Sequence, residues 1–166
     1  MTLLSTAKNH IDLPLGKCSA IATSIAALIA LLITPKILYS AQYFVDCASG
    51  DDRAIGGETM TAWRTLDKVN HTIFSAGDRI QLKRGTTCQG MLWPKGSGVA
   101  ERPIVIGAYG SGALPVIDAT GFNTAVKLFN QHHWEIRNLE ARRSTEYGIH
   151  VGGTRVRSII SESRIA

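Results

Sequence analysis

The residues best suited to chemistry crowd one stretch: Lys127, His132, His133, Arg137, Arg142, Arg143, Glu146, Tyr147 and His150. A Lys or Arg can neutralise an anionic substituent, a Lys, Arg or His can remove a proton, and a Tyr can return one to a leaving oxygen. Lys127, Arg142, Arg143 and His150 are the candidate ligand contacts. Lys127, Arg142 and His150 are expected at similar corners of successive repeats, converging on a shallow groove. The plainer reading is solvation, since outward positions on a strand are polar wherever water covers them. His132-His133 reads as a solvated turn pair, and Glu140 with Glu146 would form a glycosidase-type pair only if folding brought them about 5–10 Å apart.

No metal site is legible. Asp46, Asp51 and Asp52 match no EF-hand spacing, and Asp in a Gly-rich loop usually makes Asx turns. Cys47 and Cys88 have no His or Cys at metal-ligand spacing. A disulfide between them would close a loop of about 40 residues and add roughly 4 kcal/mol in the chain-entropy model. Two buried free thiols are the alternative, and Cys18 lies apart in the N-terminal region.

With 166 residues, 45% of them hydrophobic and 19% charged, the composition is that of one globular domain. Part of the hydrophobicity belongs elsewhere. Ser19 to Thr34 is uncharged and follows Lys8 and Lys17, which only Asp12 opposes. Residues 1–41 therefore read as a signal peptide cut after Ala41, or as an uncleaved signal anchor running on through Ile37-Leu38-Tyr39. Either reading puts residues from Gln42 outside the cytoplasm, secreted or held at the cell surface, with membrane contact only through this segment. Without it the formal charge falls from +5 to +3. That small excess would favour an anionic partner such as an acidic polysaccharide, but a solvated surface with a slight imbalance is the plainer reading. No Lys/Arg run and no zinc-finger spacing points to nucleic acid.

From Gln42 the chain is built of short β-prone runs separated by turns. Tyr43-Phe-Val-Asp46, Arg79-Ile-Gln-Leu-Lys83, Met91-Leu-Trp-Pro94, Ile104-Val-Ile106, Val126-Lys-Leu-Phe129, Trp134-Glu-Ile-Arg-Asn-Leu139 and Val156-Arg-Ser-Ile-Ile160 read as strands. Thr61 to Asn70 is the one helical pattern, with Trp63, Leu66 and Val69 on one face, Thr59 or Thr61 as cap, and Asn70 as its end. Successive strand starts at Ile80, Ile104, Val126 and Gly148 lie 22 to 24 residues apart. That period predicts an all-β parallel solenoid, in which stacking supplies the buried face that no single turn can make alone. Ile80, Leu82, Ile104, Ile106, Val126, Leu128, Ile136, Leu139 and Ile159 are the inward candidates. A jelly roll would not keep such a period. The helix is expected to lay its apolar face on the open first turn.

In sequence order, Tyr43-Phe-Val-Asp46, Ala62-Trp-Arg-Thr-Leu-Asp-Lys-Val-Asn70, Gly77-Asp78-Arg-Ile-Gln-Leu-Lys-Arg-Gly85, Gly96-Ser-Gly98, Pro103-Ile-Val-Ile-Gly-Ala-Tyr-Gly110 and Pro115-Val-Ile-Asp118 resemble the N-terminal part of secreted right-handed parallel β-helix proteins of the pectate-lyase-like superfamily. Trp134-Glu-Ile-Arg-Asn-Leu-Glu140 resembles their first regular turn. This sequence has Cys88 where members often carry an aromatic residue.

The resemblance implies a right-handed parallel β-helix over 79–166, with a strand, loop and capping helix over 42–78. Ser161 to Ala166 ends within a turn, so truncation after about four turns is expected. Members include polysaccharide lyases, glycoside hydrolases, epimerases and non-enzymatic surface proteins. In the lyases the base, its assisting Arg or Lys, and any calcium carboxylates lie on middle turns, so calcium is a cofactor only of a longer parent. The expected function is binding and β-eliminative cleavage of a uronate polymer by that parent. The alternative is a non-enzymatic adhesion scaffold.

Overall fold

The short β-branched runs of this chain cannot each fill a core, and they bury their apolar faces by stacking on one another. The computed structural model describes residues 39–153, with the backbone of 158–161 and 164–165. They form a parallel β-solenoid of about three turns. The first turn comprises β3 (Arg79–Lys83), β4 (Thr87–Gln89) and a bridge at Leu92. The second comprises β6 (Ile104–Tyr109), β7 (Val116–Asp118) and β8 (Thr124–Phe129), and the third β9 (Trp134–Arg137), β10 (Glu140–Arg142) and β11 (Tyr147–Gly152). β12 (Ser158–Ser161) and β13 (Arg164–Ile165) continue the stack, while β1 (Gln42–Val45) pairs with β3 at the other end. A small extra ladder joins β2 (Ile73–Phe74) to β5 (Lys95–Gly96). The larger sheets run β1-β3-β6-β9-β12 and β4-β7-β10-β13, with β8 and β11 forming a third face.

The register differs from the even period expected. Ile80 sits opposite Tyr43 and Ile106 rather than Ile104, and Ile106 opposite Ile136. Val126 belongs to another face, where it pairs with Ile149 and bridges Leu92. The regular 22-residue spacing thus mixed two sheets whose turns differ in length. The interior is nonetheless the expected one: Ile80, Leu82, Ile104, Ile106, Val126, Leu128, Ile136 and Leu139 are fully buried. Burying each such side chain contributes about 1.5–3 kcal/mol. Ile160, not Ile159, is the register partner of Ile136, and the side chain of Ile159 lies outside the described residues. So do the apolar segment 19–34 and Cys18.

The capping helix is shorter than its sequence pattern. Helix α1 spans Leu66–Asn70, preceded by a single 3-10 turn at Thr59–Thr61. The carboxylate of Asp52 causes the difference, since it accepts from the Arg64 and Thr65 amides (2.8 and 3.0 Å) and the Thr65 hydroxyl (2.6 Å). Held this way, Thr65 is extended and becomes the N-cap, its hydroxyl taking the Lys68 amide at 3.2 Å. Trp63 is therefore not helical. It bridges Val45, stacks on Tyr43 with centroids 5.0 Å apart, and donates its indole N–H to Ala54. Gly56, at φ +75°, leaves the room for that indole, because a Cβ there would lie 2.5 Å from the ring. Leu66 and Val69 are buried in the same core cluster as Ile80, Leu82 and Cys88 of the first turn.

A disulfide and an ion pair are among the links that fasten this cap to the stack. Cys47 and Cys88 form a disulfide with Cα atoms 5.2 Å apart. The buried Asp46 carboxylate accepts from the Ala48 and Ser49 amides and from Lys83 Nζ at 2.7 Å. Asp51 makes an ordinary Asx turn onto the Arg53 amide. A Cys47→Ser/Cys88→Ser double variant is expected to lose about 2–4 kcal/mol of stability in a urea unfolding titration.

Burial pushes the Asp46 carboxyl up, yet the Lys83 hydrogen bond and the two amides outweigh it and hold its pKa below the ordinary range. Asp52 behaves alike, with burial opposed by Thr65 and the Arg64 amide. Groups depressed on folding stabilise above their unfolded pKa and lose that contribution as pH falls through the folded value. The urea midpoint should therefore hold down to about pH 5 and fall below about pH 4, less steeply in Asp46→Asn.

Candidate functional site

The bridge between Leu92 and Val126 decides the geometry of the third face. With Leu92, Val126 and Leu128 pointing inward, Trp93, Lys127 and Phe129 come to the outer side. Lys127 is in register with His150 on the next turn. Trp93, Lys127 and His150 thus form a column along the solenoid axis, spaced at about the 4.8 Å of adjacent strands. Lys95 of β5 reaches the same place, its Nζ 3.1 Å from the centroid of the Trp93 ring. Lys127 Nζ lies 4.6 Å from that centroid and 5.8 Å from the Phe129 ring. Tyr147 stacks on His150, with ring centroids 4.9 Å apart and planes at 23°. Phe129 and Tyr147 are each about half exposed.

Two ammonium groups therefore share one indole. Each gains cation–π attraction of about 0.5–2 kcal/mol, and they repel one another. Neither has a carboxylate partner among the described residues, and residues 92–97, β8 and β11 contain no Asp or Glu. The Lys95 ammonium loses a proton more readily than an ordinary lysine, first because it is desolvated and second because Lys127 is close. Chemically this is a face with flat apolar rings, two cations awaiting a counter-charge, and an imidazole alongside.

Of the four candidate contacts, the fold brings Lys127 and His150 together. The other two lie elsewhere, so the expected groove of Lys127, Arg142 and His150 does not form. Arg142 is on β10 of the four-stranded sheet, with Glu140 at 3.7 Å. Arg143 pairs with Asp118, a fully buried carboxylate that also holds Thr120 and Gln89. Its backbone is left-handed at φ 59°, which turns the guanidinium onto that carboxylate. The Asp118 end of this pair is fully buried while the Arg143 side chain is more than half exposed, so Arg143 is held to this corner with its outer edge in water.

His132 and His133 meet edge to face at 5.3 Å, with the His132 amide on Ser97. Among the described residues no group of three or more His, Cys, Asp or Glu could hold a metal ion, and no helix is long and apolar enough to cross a membrane. Trp93 and Lys95 escaped the sequence reading. Their only signal was Trp93-Pro-Lys95 following an inward Leu92, which becomes meaningful once the Leu92–Val126 register is fixed.

No family model matches the chain, and no curated protein matches it. Solved structures do. The chain is similar to a GH136 lacto-N-biosidase from Eubacterium ramulus, seen as a selenomethionine derivative (TM-score 0.58, 24% identity) and as the native protein (0.54, 23%). The match covers 82% of this chain and 23% of each of those chains. At that identity the likeness shows the parallel β-solenoid and nothing finer.

Replacing Lys127 by Met removes the repulsion on Lys95. The Lys95 pKa should rise in Lys127→Met, read by NMR titration of reductively methylated lysines, and an unchanged value would mean the two ammonium groups do not interact.

Proposed function

We propose that the chain forms the first turns of an extracellular carbohydrate-active β-helix protein, and that the outer face of β8 and β11 holds an acidic polysaccharide. The observation that carries this reading is the pair Lys95 and Lys127 over Trp93, without a carboxylate and in line with His150. Rings at Trp93, Phe129 and Tyr147 offer flat surfaces to the apolar faces of sugar rings, and the cations meet carboxylates along the polymer. The glycoside hydrolase among solved proteins of this fold adds weight to a carbohydrate ligand.

The reaction we assign to the whole protein is β-elimination of a uronate polymer. A lysine pair neutralises the sugar carboxylate and acidifies the C5 proton. A neutral amine or imidazole takes that proton, the electron pair forms the C4–C5 double bond, and the C4–O bond breaks with protonation of the leaving oxygen. A face rich in cations and lacking Asp and Glu suits this better than hydrolysis, which needs two carboxyl groups. Export follows from the same reading, since such polymers are extracellular and a disulfide persists there.

The test is binding of oligogalacturonate to the full chain by calorimetry, with neutral β-glucan as control. Binding should weaken with added salt and drop about tenfold or more in Lys127→Ala and in Lys95→Ala. Equal affinity for the neutral glucan would sink the acidic-glycan reading. Binding with no unsaturated product from a longer parent would leave a non-enzymatic scaffold.

A further inference from the structure

A solenoid of three faces has three first edges, and each leaves backbone groups to be satisfied. Two are closed by the chain itself. On β1, the Phe44 and Asp46 amides donate to Gly56 and Trp63 carbonyls, and the Trp63 amide donates to Phe44, all at 2.8–2.9 Å. At Leu92, the Asn70 carboxamide stands in for a strand, donating to the Met91 carbonyl (2.8 Å) and accepting the Trp93 amide (2.6 Å). The third edge is β4. Its bonds to β7 run through Thr86, Cys88 and Gly90, as the Val116 amide on the Thr86 carbonyl and the Gly90 amide on the Asp118 carbonyl show. The alternation of a parallel ladder then turns the N–H and C=O groups of Thr87 and Gln89 the other way, where no described strand lies, and both residues are exposed.

A groove runs along this edge. Two cavities of about 160 and 220 Å³ share Leu66 and Gln89. Arg64 lines the end beside Thr87, and Asp67 lines the end beyond Gln89, with Met91 and Phe122 adding apolar surface. We propose that β4 accepts an extended segment of a partner polypeptide as an added parallel strand. Every ladder between the described strands is parallel, so the segment's N-terminal end lies at Arg64 and its C-terminal end at Asp67. Charge complementarity sets its chemistry: an acidic residue first, a small apolar residue over Leu66 two positions on, and a basic residue two further. Alternation puts all three on one side of the strand. Backbone bonds supply the affinity and the side chains supply the direction. This face is separate from the β8–β11 column, and the two readings stand or fall independently.

The probe is the blocked peptide Asp-Thr-Val-Thr-Lys, with Lys-Thr-Val-Thr-Asp as its charge-reversed control, titrated into the full chain and followed by the amide resonances of Thr87 and Gln89. Both resonances should shift, and the acidic-first peptide should bind about tenfold more tightly. Exchanging the end charges in Arg64→Asp/Asp67→Lys should invert that preference. Gln89→Pro removes an outward N–H that the β7 ladder does not use and should abolish binding, whereas Gln89→Ala should bind within about threefold of the parent. Unmoved Thr87 and Gln89 resonances, or undiminished binding by a folded Gln89→Pro chain, overturns the proposal. Self-association of the chain lost in Gln89→Pro would overturn the choice of a foreign segment and make the occupant a second copy.

Discussion

A stack of parallel strands keeps its interior dry only if its first layer is closed, and closing that layer governs the N-terminal half of this chain. The chain treats each face differently: a loop closes β1, one side-chain amide closes Leu92, and β4 is tied to the cap by the Cys47–Cys88 bond while its outward backbone groups stay open. The aromatic series Trp63, Tyr43, Phe74 and Trp134 fills the space these devices enclose, each ring in contact with the next at centroid distances of 5.0–6.3 Å. Polar anchoring and apolar filling thus answer one geometric problem.

The same economy decides which charges remain for a ligand. Asp46 is occupied by Lys83, Asp52 by the helix start, Asp78 by the Ala41 and Ser75 amides, and Asp118 by Arg143 and Thr120. These acids are drawn into corners, where buried backbone amides and cations need acceptors. What is left on the third face is positive. Its character is partly a by-product of where the fold uses its carboxylates.

Fold and site were unequally legible in the sequence. Alternation of Ile, Val and Leu with polar residues states the strands and their inward sides, and nearly every inward candidate is buried. Register is harder, because it depends on turn lengths, and turns such as Asn138, held left-handed at φ 57°, can be very short. The helix was overread at Trp63 because Asp52, distant in sequence, overrides local periodicity. Arg143 looked like a free surface cation for the same reason, its partner Asp118 lying 25 residues back. Lys127 and His150 could be placed side by side since each sits alone among apolar strand residues. Trp93 and Lys95 could not, because their position depends on the long-range Leu92–Val126 bridge.

The Cys47–Cys88 bond also fixes how the molecule carries load. Tension arriving from the N-terminal side can peel β1 away, but at Cys47 it crosses the bond directly to Cys88 and continues from β4. Residues 48 to 87, which include the capping helix, β2 and β3, are thereby taken out of the covalent line of force. Tension applied from the N-terminal side would therefore reach β4 without passing through the capping helix.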